Sequence, residues 1–288
     1  MKAAAYLELT KPRITSFVVL TTWLGWRFSG RPEAPELWWT LLGTGLASAA
    51  SGTLNQWLEV DQDALMKRTA RRPLPSGRLT PDEALTFGTA LGAAGVALLS
   101  ARVGNLPAFL AALTMVLYVG GYTPLKRVTP QSTWIGAASG AIPPMIGWAA
   151  ARGELGAGAW ALFSIQFLWQ MPHFLALFWL YREEYAKAGF QVQSVVDPGG
   201  RSTAVQIAVH SFGLLVATMM PWLFGVAGLG YGVGALLLGT GFLFIGLKAS
   251  WTMRAEDHRN LFKASLAYLP AVFALLAAGS GSVAAVLP

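Results

Sequence analysis

The chain has 288 residues, 54% of them hydrophobic and 12% charged, with a net charge of +7 and no cysteine. A soluble globular domain carries about a quarter of its residues as charges, so this balance excludes one and points to a multi-pass membrane protein, while the missing cysteine excludes disulfide and thiolate chemistry. The positive charge fits loops facing anionic lipid, and no nucleic-acid partner is expected.

The N-terminal stretch Met1 to Arg13 carries Glu8 and lacks a small-residue cleavage site after an apolar run, so no cleaved signal peptide is expected. Nine apolar segments then follow: Ile14–Ser29, Glu36–Leu58, Pro81–Ala101, Leu106–Tyr122, Ser132–Ala151, Gly156–Tyr181, Thr203–Phe224, Gly228–Lys248 and Phe262–Leu287. A membrane-crossing helix needs roughly 17–25 residues, so the expected fold is an all-α, multi-pass membrane bundle of about nine transmembrane helices in one domain, 1–288. Small residues in the second segment (Gly43, Gly45, Ala47, Ala49, Ala50, Gly52) suit close helix packing, and the tryptophans suit interfacial belts.

The loops after segments two, four, six and eight hold nearly all the charge. Of 21 Lys and Arg, only Arg27, Arg31, Arg102 and Arg152 lie on the other side, and of 14 acids only Glu33, Glu36 and Glu154. Such asymmetry predicts a cytoplasmic N-terminus in a cell membrane.

On that face, Asn55, Glu59 and Asp63 are spaced four apart at the end of the second segment. In a helix this spacing makes one stripe, with Asp61 on the far side. Three oxygen-bearing side chains in a stripe suit a hard divalent cation, and at membrane depth they are costly without one. A basic loop follows, with Lys67, Arg68, Arg71, Arg72 and Arg78; Tyr122 and Lys126 follow segment four, and Arg182-Glu183-Glu184-Tyr185 follows segment six. Two acidic clusters flanked by Lys and Arg would hold Mg²⁺ and a lipid diphosphate bridging the metals. Taken alone, the basic loop also reads as a solvated loop, Glu183 and Glu184 as helix-end charges, and His173 as a packed polar residue.

Asn55-x3-Glu59-x3-Asp63 resembles the first acidic motif of the UbiA superfamily of intramembrane prenyltransferases. The continuation Met66-x-Arg68-Thr69-x-Arg71-Arg72-Pro73-Leu74-Pro75-Ser76-Gly77 is similar to the branch that farnesylates protohaem. So are Leu9-Thr10-Lys11-Pro12-Arg13, Tyr122-Thr123-Pro124-Leu125-Lys126-Arg127, Trp169-x2-Pro172-His173-Phe174 and Arg182-Glu183-Glu184-Tyr185. The sequence departs from the superfamily at Gln56, where an Asp is usual. In the second motif, the places of the usual acids hold Tyr181 and Tyr185. Which of Glu183 and Glu184 binds metal is left open.

The resemblance implies transfer of the farnesyl group of farnesyl diphosphate to a vinyl group of haem B, with addition of water and release of diphosphate, giving haem O for terminal oxidases. It implies Mg²⁺ on Asn55, Glu59, Asp63, Glu183 and Glu184. Arg13, Arg68, Arg71, Arg72 and Lys126 would grip the diphosphate, Tyr122 would stand beside it, and His173 would contact the haem. A haem A synthase is a candidate partner. The competing readings are a relative with an aromatic acceptor, an ion-coupled transporter, and a structural or assembly subunit of an oxidase. Asp61, off the stripe, is expected to pair with a loop cation such as Arg68. Its substitution should cost less Mg²⁺-dependent turnover than substitution of Asp63, and the reverse order would show the helical register to be wrong.

Overall fold

The computed structural model describes residues 2–225 and 227–279. Among them the chain is helical, with no strand. In order come α1 (Lys2–Leu9), α2 (Pro12–Phe28), α3 (Pro35–Leu58), α4 (Val60–Leu65), α5 (Pro81–Arg102), α6 (Asn105–Met115), a π-helix (Val116–Tyr122), α7 (Thr123–Leu125), α8 (Ser132–Ala141), α9 (Pro143–Arg152), α10 (Ala157–Leu180), α11 (Arg182–Lys187), α12 (Gln193–Val196), α13 (Arg201–Leu223), α14 (Leu229–Thr252) and α15 (Ala255–Gly279). Every apolar segment read from the sequence falls on helix, except that positions 280–287 of the ninth lie outside the described residues. Six described helices are long and apolar enough to cross a membrane: Pro81–Arg102, Asn105–Leu125, Ala157–Leu180, Arg201–Leu223, Leu229–Thr252 and Ala255–Gly279. The chain is a multi-pass membrane protein. Large apolar side chains on its surface, such as Phe109, Val209, Leu237, Phe244 and Trp251, are what a hydrocarbon solvent permits.

Two segments differ from single straight spans. The fifth is broken into α8 and α9, because Pro143 and Pro144 supply no N–H to continue the ladder. The fourth passes from α-helix into the π-helix before Thr123, and the wider turns hand a backbone carbonyl, Tyr118 O, to both the N–H and the hydroxyl of Thr123.

The contacts separate into two compact units, the described residues of Met1–Leu155 and Glu183–Val192, and those of Gly156–Arg182 and Gln193–Pro288. In the first, α3 packs on α5 and α2 on α9. Five of the six small residues singled out in α3 are buried. The α2–α9 crossing is closer still: a Cβ at Gly147 would lie 1.8 Å from Thr22 O, and one at Gly25 would lie 1.9 Å from Pro144 O. Neither position tolerates a side chain without moving backbone. In the second unit α13 packs on α10 and α14, and α15 on α10 and α14.

The basic loop after α4 is not a free loop. Leu74 and Leu79 are buried with Ala5, Leu9 and Ala84, against Tyr6, Trp57 and Val60. Exposed ion pairs Arg78–Glu8 (2.7 Å) and Lys2–Glu83 (2.6 Å) lie nearby, each worth under about 1 kcal/mol at such a surface. The apolar anchor therefore fixes where Arg72 sits. Overpacking costs about 1–3 kcal/mol, so Gly147→Ala should lower the thermal midpoint of the detergent-solubilised protein. Gly120→Ala, with nothing within 4 Å of its Cβ, should leave that midpoint unchanged.

Candidate active site

Asn55, Glu59 and Asp63 are all buried, at 3%, 3% and 2% relative exposure, while Asp61 is exposed. α3 ends at Leu58 and α4 begins at Val60, yet the spacing survives the junction. Glu59 N donates to Asn55 O at 3.0 Å and Asp63 N to Glu59 O at 2.8 Å, so the three side chains keep one face.

Each member of the stripe has a cationic neighbour from elsewhere in the first unit. Asp63 accepts both hydrogen bonds from Arg72 Nη1, at 2.9 and 2.7 Å. Glu59 Oε1 lies 2.8 Å from Lys126 Nζ, a Coulombic contact without hydrogen-bond alignment, so that oxygen remains unsatisfied as an acceptor. Asn55 Oδ1 accepts from Lys11 Nζ at 2.7 Å, and its Nδ2 donates to Thr123 Oγ1 at 3.1 Å. Thr123 in turn donates to Tyr118 O at 2.8 Å. The π-helix therefore fixes the amide orientation of Asn55. Lys126 also lies 4.1 Å from the Phe190 ring centroid and 5.3 Å from that of Tyr122. Arg127 donates to Leu58 O, at the end of α3.

From the Lys11-Pro12-Arg13 stretch it is Lys11, not the expected Arg13, that reaches the stripe. It sits immediately before Pro12, in the left-handed region at φ 49°, a conformation that costs a non-glycine residue and collects at functional sites. The absence of a side chain at Gly52 leaves room for its stem, whose Cγ and Cδ would lie 3.4 and 3.3 Å from a Cβ there. Lost hydration pulls the Lys11 pKa down to about 7; Arg72 adds to the fall, and Glu59 and Asp63 oppose it. The Lys-Pro step was the available signal.

Of the other sequence candidates, Arg68 directs Nη2 to Tyr185 Oη at 3.5 Å. Asp61 forms no ion pair among the described residues, so its expected pairing with Arg68 is replaced by the pairing of Asp63 with Arg72. Arg13, Arg71 and Glu183 are exposed. Glu184, beside Glu183 in α11, is half-buried, and its Oε2 is buried without a hydrogen-bond partner. Gln56, at the place of the usual Asp, donates Nε2 to Leu9 O at 2.9 Å and so ties α3 to the end of α1, which a carboxylate could not do. His173, in the second unit, is half-buried on α10.

The donor set is hard oxygen throughout, which suits Mg²⁺. Among the described residues no three His, Asp or Glu side chains converge closely enough to hold a metal alone. Mg²⁺ characteristically takes one or two carboxylates and completes its shell with water and phosphate oxygens. The unsatisfied oxygens of Glu59 and Glu184 fit that role.

Residues 15–276 match the UbiA prenyltransferase family. The chain belongs to this family. It is 44% identical over 283 residues to the protoheme IX farnesyltransferase of Solibacter usitatus, covering 94% of this chain and 97% of that one. It is also 44% identical over 274 residues to the protoheme IX farnesyltransferase of Salinibacter ruber, covering 94% and 96%. The fold agrees with solved structures. A digeranylgeranylglyceryl phosphate synthase superposes with a TM-score of 0.81 at 15% identity, covering 97% of this chain and 98% of that one. A UbiA homolog from Archaeoglobus fulgidus bound to GPP and Mg²⁺ superposes at 0.67 and 16% identity, covering 94% and 99%.

This UbiA-family site contains a pairing that can be tested by stability. Arg72→Met leaves the buried Asp63 carboxylate without its cation and should cost about 1–3 kcal/mol, seen as a lower thermal midpoint. Adding Asp63→Asn removes the charge and should restore part of that loss.

Proposed function

We propose that this chain transfers the farnesyl group of farnesyl diphosphate to a vinyl group of haem B, giving haem O. The 44% identity to protoheme IX farnesyltransferases over nearly the whole chain carries the acceptor. The juxtaposition of Glu59, Asp63 and Asn55 with Lys126, Arg72 and Lys11 carries the donor. Mg²⁺, when bound, supplies positive charge that stabilises the departing diphosphate.

Asn55, Glu59, Asp63 and Glu184 are the proposed metal ligands, with Glu184 preferred to Glu183 because only Glu184 turns an oxygen inward. Lys126, Arg72, Arg68 and Lys11 are the proposed diphosphate contacts, where cations stabilise charge as it develops on the leaving oxygens; Arg13 and Arg71 are proposed as outer contacts. The allylic C–O bond breaks with its electron pair leaving on diphosphate. The vinyl π pair forms the new C–C bond, and water adds to the resulting cation with loss of a proton. Tyr122 and Phe190 present rings beside Lys126, Tyr118 packs against Tyr122, and the three are the proposed shield that keeps water from the farnesyl cation.

We also propose nine crossings in one catalytic domain, a cell-membrane location and a cytoplasmic N-terminus, on the charge asymmetry. His173 is the proposed haem contact, and a haem A synthase the proposed consumer of the product.

Purified protein given farnesyl diphosphate, Mg²⁺ and haem B should yield farnesylated haem by mass spectrometry, and none once EDTA removes the metal. Glu184→Gln should lower the rate far more than Glu183→Gln. Diphosphate release with an aromatic acceptor but none with haem would overturn the assignment.

A further inference from the structure

His173 is held by more than packing. Its Nδ1 lies 2.7 Å from Ser265 Oγ on α15. The Ser265 hydroxyl has one proton, and its bond to Phe262 O at 2.6 Å uses it, because a carbonyl can only accept. Ser265 therefore accepts from His173, so Nδ1 carries the hydrogen and Nε2 keeps the lone pair. Ser265 is itself fixed: it is fully buried, and its backbone carbonyl accepts from Trp169 Nε1 at 2.7 Å. The Trp169 and Phe262 rings lie nearly parallel to the imidazole, with centroids 5.0 and 4.8 Å away and interplanar angles of 23° and 29°, and Phe174 meets it edge-on at 5.3 Å. Ring rotation is therefore blocked. Nε2 has no hydrogen-bond partner among the described residues, and the side chain is only half-buried.

A neutral imidazole, with Nδ1–H tied to an oxygen and Nε2 open, is the form that ligates a transition metal. The tie sets the tautomer and raises the basicity of the free nitrogen. We propose that Ser265 is a positioning residue that presents His173 Nε2 as an axial ligand to the iron of the porphyrin acceptor. This rests on the reading of haem B as the acceptor.

The test uses the full-length protein in detergent or nanodiscs, titrated with ferric haem B and followed by Soret absorbance and electron paramagnetic resonance. The wild type should give a histidine-ligated spectrum. His173→Gly should lose that spectrum and regain it on addition of free imidazole. Ser265→Ala should weaken haem affinity about 10–100-fold with the thermal midpoint nearly kept, whereas Ser265→Thr, which retains a hydroxyl able to reach the preceding turn, should stay near wild type. A histidine-ligated spectrum surviving in His173→Gly, or a Ser265→Ala affinity equal to wild type, would overturn the inference alone, provided the wild type farnesylates haem. A wild type that neither binds nor farnesylates haem would overturn the acceptor reading, and this inference with it.

Discussion

Buried negative charge is what the first unit is arranged around. A carboxylate removed from water costs several kcal/mol unless a cation or hydrogen-bond donors replace the lost hydration. Glu59 and Asp63 are nearly inaccessible, and each is held against a cation, Glu59 against Lys126 from far along the chain and Asp63 against Arg72 in the loop that follows it. Lys126 arrives through the π-helix and α7, Arg72 through a loop pinned by Leu74 and Leu79, and Lys11 through a strained turn before α2. The same cations that make the acids tolerable are the groups a diphosphate needs. In the proposed function, metal and diphosphate would take over these internal ion pairs.

The precision of that cluster depends on close packing elsewhere in the unit. Glycines at the α2–α9 crossing and the small residues of α3 let backbones approach. In a membrane, where apolar burial gives little drive, such contact supplies much of the helix association. The second unit solves a different problem. It holds one imidazole rigidly between aromatic rings and a serine whose own hydrogen bond sets the tautomer.

The helices were legible because long apolar runs can hardly be anything else in lipid. The Asn55, Glu59, Asp63 face was legible because a period of four survives even a helix junction, and the exposure of Asp61 follows from the same period. The partners were not legible. Asn55 meets Thr123 across 68 positions and Lys11 across 44, and nothing local ranks Lys11 above Arg13, or Arg72 above Arg68 and Arg71. Those choices depend on tertiary placement, as does the inward turn of Glu184 rather than Glu183. The break at Pro143 was written in the sequence, but the helices that continue through Pro172, Pro221 and Pro270 show why proline alone does not decide it.

Whether the buried acids hold a metal that in turn holds the diphosphate is read from equilibrium binding of farnesyl diphosphate to the purified protein by titration calorimetry, with and without Mg²⁺. Binding should be tight, should require the metal and should be lost in Asp63→Asn. Equal affinity in EDTA, or full Mg²⁺-dependent binding by Asp63→Asn, would contradict that assignment.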